Sequence, residues 1–108
     1  MNGLTENEHA VLERLKAALT DRFKLVELRL FGSKARGDSH RESDIDVLVV
    51  LEDCDWKTEY AVYDLCYDLS VDFGVVITPV VYSRSDYDSP LRQATPFHET
   101  VVREGVTL

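Results

Sequence analysis

The residue types that can do chemistry are concentrated between Gly32 and Asp46. Gly32 and Ser33 form a small turn after one apolar segment. Asp44 and Asp46 stand at the start of the next apolar segment, which continues Val-Leu-Val-Val-Leu. A Gly-Ser turn can offer main-chain N–H groups to a phosphate-sized anion, and paired carboxylates can bind a divalent metal ion. Side by side, the two groups suit phosphoryl-transfer chemistry on a nucleotide.

The turn has the residues that an anion site needs. Gly32 tolerates a positive φ and lets a ligand approach the backbone, and Ser33 adds a hydroxyl donor. If Lys34 starts a helical turn, the first N–H groups of that turn point at the anion, and the side chains of Lys34 and Arg36 add positive charge. Gly37 permits a sharp exit. The alternative is an ordinary strand-to-loop turn, which the Gly-Ser pair favours when taken alone.

The carboxylates form the second group. Asp44 and Asp46 are two residues apart at the start of a predicted strand, so alternation places both on one face with Cα atoms about 6.5 to 7 Å apart. Ile45 points the other way, into the core. Two like charges need neutralising, and Mg²⁺ binds a few carboxylates together with phosphate oxygens. An isolated Asp-x-Asp is more often a pair of solvated loop residues, but the preceding Gly-Ser turn makes the combination far more specific.

The spacing of apolar and turn residues predicts the elements that position these groups. Thr5 and Glu8 form a capping box that starts the first helix. The unbroken apolar run of the second strand predicts a central position, and Pro79 predicts an edge or a bulge for the third. In chain order we predict a helix from Thr5 to about 21–24, a strand Leu25–Phe31, a loop 32–43, a strand Ile45–Leu51, a helix Trp56–Leu69 capped by Asp53 or Asp55, a strand Val75–Tyr82, helix starts at Ser89-Pro90 and Thr95-Pro96, and a tail 106–108.

This order predicts an α/β fold of the α+β two-layer sandwich type, a small mixed β-sheet with helices packed on one face. At 108 residues, a single domain spanning 1–108 is expected. With 12 Lys and Arg against 20 Asp and Glu, the net charge of −8 predicts no broad nucleic-acid surface. Cys54 and Cys66 are expected to be reduced thiols in a cytoplasmic protein, and no apolar run is long enough to predict a membrane span.

Gly32-Ser33, Arg36-Gly37 and Ser43 to Asp46, followed by an aliphatic strand, resemble the small nucleotidyltransferases of the polymerase-β superfamily. The match is close to minimal stand-alone members, which are often antitoxin halves of pairs with a helical HEPN partner. The resemblance implies a nucleotidyltransferase fold and a triphosphate held at Gly32 and Ser33, with Arg36 in support. It also implies one or two Mg²⁺ ions on Asp44 and Asp46, which would be the catalytic residues, and an NTP substrate, with ATP expected.

The third strand departs from this pattern. Active members of the family usually carry a third carboxylate there, but the segment from Val75 to Tyr82 contains no acid. Asp72 precedes the strand and is expected to lie too early, so Thr78 is expected in the place of the acid. Without a third ligand, metal binding and activation of the acceptor hydroxyl should both weaken.

The third helix carries a separate signal. Trp56, Tyr60, Tyr63 and Tyr67 follow one stripe at spacings of four, three and four residues. This stripe predicts either a protein interface or a cover for the flank of the core. Because no second domain is available to hold the acceptor, we expect a second subunit, a homodimer twin or a helical partner. His40 is expected to be a surface loop residue rather than a phosphate contact.

Two hypotheses follow from the sequence. The first is a Mg²⁺-dependent nucleotidyltransferase that transfers a nucleotidyl group to an acceptor hydroxyl, as part of a two-component pair. The alternative is an antitoxin or protein-binding module with a degenerate nucleotide site, which the missing third acid and the aromatic stripe both favour.

Overall fold

The structure, a computed structural model, describes residues 4–37 and 44–108. Within these ranges the elements in chain order are α1 (Glu6–Arg22), β1 (Leu25–Phe31), α2 (Ser33–Arg36), β2 (Ile45–Leu51), α3 (Trp56–Phe73), β3 (Ile77–Ser83), α4 (Arg84–Tyr87), α5 (Pro90–Gln93), α6 (Pro96–Glu104) and β4 (Val106–Thr107). The part of the predicted loop that includes His40 and Ser43 lies outside the described residues.

Side-chain caps fix the ends of the helices. Thr5 and Glu8 form the predicted capping box at the start of α1. Asp55, rather than Asp53, caps α3 by accepting a hydrogen bond from the Thr58 N–H at 2.8 Å. The end of α3 was predicted too early, because the helix continues for another turn to Gly74, whose φ of +66° suits a helix C-terminus.

The sheet has the strand order β3-β2-β1-β4. β1 pairs antiparallel with β2 and β4, whereas β2 pairs parallel with β3, so the sheet is mixed as predicted. β2 is central, and β3 is at an edge of the sheet, which is the position where a proline such as Pro79 is tolerated. The prediction of a tail after Gly105 was wrong, because Val106 and Thr107 pair with Leu30 and Arg29.

Both faces of β2 are buried, which explains its continuous apolar sequence. Val47, Val49 and Leu51 pack in the main core under α1 and α3. On the opposite face, Leu48 and Val50 form a smaller cluster that includes Val101 of α6. The predicted α+β sandwich with its helical layer on one face is therefore confirmed, and short helices near the C-terminus add cover on the other face.

One detail of β1 departs from strict alternation. Leu28 and Leu30 are buried, but Val26, which alternation would place on the same face, is 41% exposed. The register with β2 shifts between Leu25 and Glu27, so strict alternation does not extend to the start of the strand.

Candidate active site

Gly32 and Asp46 meet where β1 ends and β2 begins. Phe31 is the register partner of Asp46, which places the next residue, Gly32, beside the carboxylate. Gly32 has a φ of +75°, and a Cβ atom built on it would overlap Asp46 Oδ2. Only glycine satisfies both conditions. The predicted turn and Asp46, one of the two predicted carboxylates, are therefore in direct contact.

The turn itself is one short helix, α2. The N–H groups of Ala35 and Arg36 donate to the Gly32 carbonyl at 3.1 Å, and the Gly37 N–H donates to the Ser33 carbonyl at 3.0 Å. The chain leaves through Gly37, whose φ is +79°. The N–H groups of Ser33 and Lys34 begin this turn and lie at its electropositive end.

Asp44 and Asp46 interact electrostatically. Asp44 is exposed and Asp46 is partly buried, while Ile45 between them is fully buried in the core. Burial raises the pKa of Asp46, the charge of Asp44 raises it further, and the charge of Arg36 partly offsets both effects. A divalent cation between the two carboxylates would relieve this repulsion, so the donor set fits a metal that is bound together with phosphate oxygens.

Arg36 lies at the rim of this site. Its guanidinium is close enough to lower the pKa of Asp46, and its Nη1 atom is 3.2 Å from Glu104 Oε2 in α6. The side chain is 43% exposed. This position suits the supporting phosphate contact that was predicted for Arg36, which stays a prediction.

The structure places the Lys34 side chain against α1. Lys34 is buried, and its Nζ atom is 2.6 Å from Glu8 Oε2. The other carboxylate oxygen of Glu8 accepts the Thr5 N–H of the capping box at 2.9 Å. The ion pair joins α2 to α1, and the phosphate contact predicted for Lys34 stays a prediction.

Glu8 was missed as a site-related residue, although the sequence carried a signal. Glu8 shares the apolar helical face of α1 with Val11, Leu12 and Leu15, which are all buried. A carboxylate on this face of the helix is buried, and because a buried charge is costly it needs a positively charged partner. The capping box gave Glu8 a sufficient local explanation, so the need for a distant partner was overlooked.

Thr78 occupies the position expected for a third acid. It pairs with Asp46 in the parallel register of β2 and β3, so the two side chains lie on the same face of neighbouring strands. Asp72 lies in the last turn of α3, not in the strand. Among residues 4–37 and 44–108, no group of three His, Cys, Asp or Glu side chains is placed to hold a metal ion.

The sequence and the fold are both similar to those of known nucleotidyltransferases. The model of the nucleotidyltransferase domain family matches residues 12–95. A protein of Methanocaldococcus jannaschii named "Putative protein adenylyltransferase" is 36% identical over 104 residues, which are 94% of this chain and 98% of that protein.

Two solved structures with sequence identities of 26% and 30% share the fold. A chain of a toxin–antitoxin structure with AMP-PNP is 26% identical, with a TM-score of 0.63 over 95% of this chain and 72% of that chain. A structure described as a "putative minimal nucleotidyltransferase" is 30% identical, with a TM-score of 0.60 over 93% of this chain and 94% of that one. The chain belongs to the nucleotidyltransferase domain family, and its fold is that of the minimal nucleotidyltransferases.

The contact between Gly32 and Asp46 can be tested with two matched glycine variants. Gly32 and Gly37 both have a positive φ, but only at Gly32 would a Cβ meet Asp46. Gly37→Ala should therefore cost about 1 to 2 kcal/mol of stability from backbone strain alone. Gly32→Ala should in addition lower Mg²⁺-dependent ATP binding at least about 10-fold, measured by calorimetry. Equal nucleotide affinity in the two variants would contradict the proposed proximity.

The buried ion pair can be tested with a double-mutant cycle. Lys34→Met leaves the Glu8 carboxylate buried without its cation and should cost about 3 to 5 kcal/mol of unfolding free energy. Glu8→Gln combined with Lys34→Met should recover much of this loss, because glutamine retains the capping bond without a charge. Urea unfolding at pH 7 measures both. A double variant no more stable than Lys34→Met would argue against the pair.

The ion pair between Glu8 and Lys34 should make the unfolding free energy depend on pH. Burial alone would raise the pKa of Glu8, but the bonds from Lys34 and the Thr5 N–H outweigh it and hold the pKa below 4.5. The ion pair therefore stabilises the fold fully above about pH 4.5 and loses this contribution as the pH falls through the lower, folded-state pKa. The unfolding free energy of the wild type should fall toward that of the double variant over this acidic range.

Proposed function

We propose that this protein is a Mg²⁺-dependent nucleotidyltransferase that binds ATP and transfers AMP to a hydroxyl group of a helical partner protein in the cytoplasm. The observation that carries the proposal is the contact between Gly32 and Asp46, which joins a main-chain anion site to a carboxylate pair. The relative named as a protein adenylyltransferase supports AMP transfer to a protein, and the toxin–antitoxin structure with AMP-PNP supports both the nucleotide and the pairing.

Each group has a distinct role in this proposal. The turn at Gly32 and Ser33 holds the triphosphate, and Arg36 adds charge at the rim. Asp44 and Asp46 hold one or two Mg²⁺ ions, which when bound supply charge neutralisation of the phosphates and the leaving pyrophosphate. The acceptor oxygen forms a bond to the α-phosphorus as the bond to the pyrophosphate breaks. Catalysis is then mainly a matter of positioning and electrostatics.

The activation of the acceptor is the weak part of this site. In the resembled family, a third carboxylate commonly accepts the proton of the attacking hydroxyl, and Thr78 stands in its place here. Threonine has no basic group near neutral pH, so transfer should be slow unless the partner contributes one. This observation favours the second candidate function, an antitoxin that binds its partner and transfers AMP weakly or not at all.

Replacing one carboxylate of the pair should lower the transfer activity but raise the stability of the protein without metal. With α-labelled ATP, Mg²⁺ and the partner, Asp46→Asn should lower labelling about 100-fold or more. Without metal, the same variant should be more stable than the wild type by on the order of 0.5 kcal/mol, because it removes repulsion from Asp44.

Asp21→Asn, an exposed acid on α1, is the matched control and should leave the transfer rate unchanged. Full labelling by Asp46→Asn would rule out the enzymatic proposal. No labelling by the wild type, in the presence of partner binding, would support the antitoxin alternative.

The missing acid allows a gain-of-function test. Thr78→Asp would place a carboxylate beside Asp46 and should raise Mn²⁺ affinity about 10-fold, with a parallel increase in transfer rate. Thr78→Asn has a similar shape without the charge and should do neither. Mn²⁺ titration followed by electron paramagnetic resonance measures the affinity. Identical affinities in the two variants would show that residue 78 does not face the metal site.

A further inference from the structure

Large apolar side chains remain exposed along one side of α3. We call this side the aromatic face, and its members are Trp56 (66% exposed), Tyr60 (61%), Tyr63 (37%), Tyr67 (70%) and Val71 (63%). Neighbouring rings contact one another edge to face, with centroids 6.1 Å apart for the first pair and 6.2 Å for the second. The face is therefore continuous, about 22 Å long at 1.5 Å per residue, rather than a set of scattered exposed residues.

A groove runs beside the aromatic face, between α3 and β3. It has a volume of about 470 Å³, and its walls include Tyr63, Tyr67 and Val71 from the helix and Val76 and Pro79 from the other side. The Tyr63 hydroxyl donates a 2.6 Å hydrogen bond to Glu59. This bond, together with burial and the charge of Glu59, raises the pKa of Tyr63 to about 12, and the bond holds the hydroxyl group in place at the edge of the groove. Pre-positioned aromatic rings of this kind are typical anchors in protein interfaces.

A row of carboxylates borders the aromatic face on its other side. Asp64, Asp68 and Asp72 recur every four residues along α3, and all three are exposed. Among the described residues none of the three has an ion-pair partner. An apolar surface with an unneutralised acidic border is complementary to a segment with apolar side chains and flanking Lys or Arg.

The groove favours a helix over a strand as its occupant. β3 is an edge strand, but Pro79 removes one of the N–H donors that an added strand would need. A second copy of this chain is also disfavoured. Face-to-face packing of two copies would bring the aspartate rows of two chains, each with a net charge of −8, together.

We propose that the aromatic face and its groove bind an amphipathic helix of a partner protein, with apolar side chains in the groove and Lys or Arg side chains along the aspartate row. The proposed docking surface and the candidate active site share strand β3. Pro79 lines the groove, whereas Thr78, next to it, faces Asp46 on the opposite side of β3. A bound helix would thus lie against the strand that also borders the carboxylates. The docking surface is separate from the nucleotide site, and its test needs no transfer reaction.

The experiment selects binders from a display library of 20-residue helical peptides with varied surface positions, using the whole protein as bait. Enriched peptides should carry apolar residues at i, i+3, i+4 and i+7 beside Lys or Arg. Binding can be followed through Trp56, the only tryptophan in the chain. Tyr67→Ser should weaken the selected peptides at least about 10-fold, and Asp64→Asn with Asp68→Asn should weaken them several-fold and reduce the salt dependence.

Leu91→Ser is the matched control, because Leu91 is 80% exposed on α5, outside the aromatic face, and should leave binding unchanged. No enrichment, enrichment without basic residues, or binding unaffected by Tyr67→Ser would each overturn the proposal. Sedimentation that shows a dimer abolished by Tyr67→Ser would assign the face to a second copy instead. Because ATP labelling is measured separately, failure of transfer and failure of docking remain distinguishable.

Discussion

The site depends on the missing side chain at position 32. The antiparallel register that pairs Phe31 with Asp46 brings the next residue against the Asp46 carboxylate, where a Cβ atom would not fit. The same residue has a positive φ that reverses the chain into α2. One glycine therefore satisfies two independent constraints, and both place the turn beside the Asp46 carboxylate. The burial of Asp46 and its repulsion from Asp44 are unfavourable for the protein alone, and a bound cation would relieve the repulsion.

A second interaction holds this arrangement in place from behind. Glu8 uses one carboxylate oxygen to cap α1 and the other to bind Lys34, which belongs to α2, the turn proposed to hold phosphate. The start of α1 and this turn are thus joined through one buried carboxylate. A buried ion pair adds little net stability compared with apolar residues, but it is costly to break and so fixes one geometry. Rigid support of this kind is what a site that works by positioning requires.

Much of the fold and part of the site could be predicted from the sequence. β1 and β2 begin and end where predicted, because their apolar runs are bounded by Gly32, Asp44 and Asp53, and the contact of turn and carboxylates follows from their succession along the chain. The Glu8–Lys34 pair was missed because its partners are distant in sequence and each has a plausible local role. β4 was missed because two residues carry no periodicity, and their pairing is decided by the free edge of β1. The roles assigned to Asp44 and Asp46 remain predictions.

We propose that the turn and the carboxylate pair form one site for a metal-bound nucleotide. A crystal structure of the protein soaked with Mg²⁺ and a non-hydrolysable ATP analogue would test this proposal. We expect Mg²⁺ between the carboxylates of Asp44 and Asp46 and the phosphate oxygens, with the phosphates against Gly32 and Ser33. Phosphates bound elsewhere, or an analogue at the turn with neither aspartate coordinating metal, would contradict it.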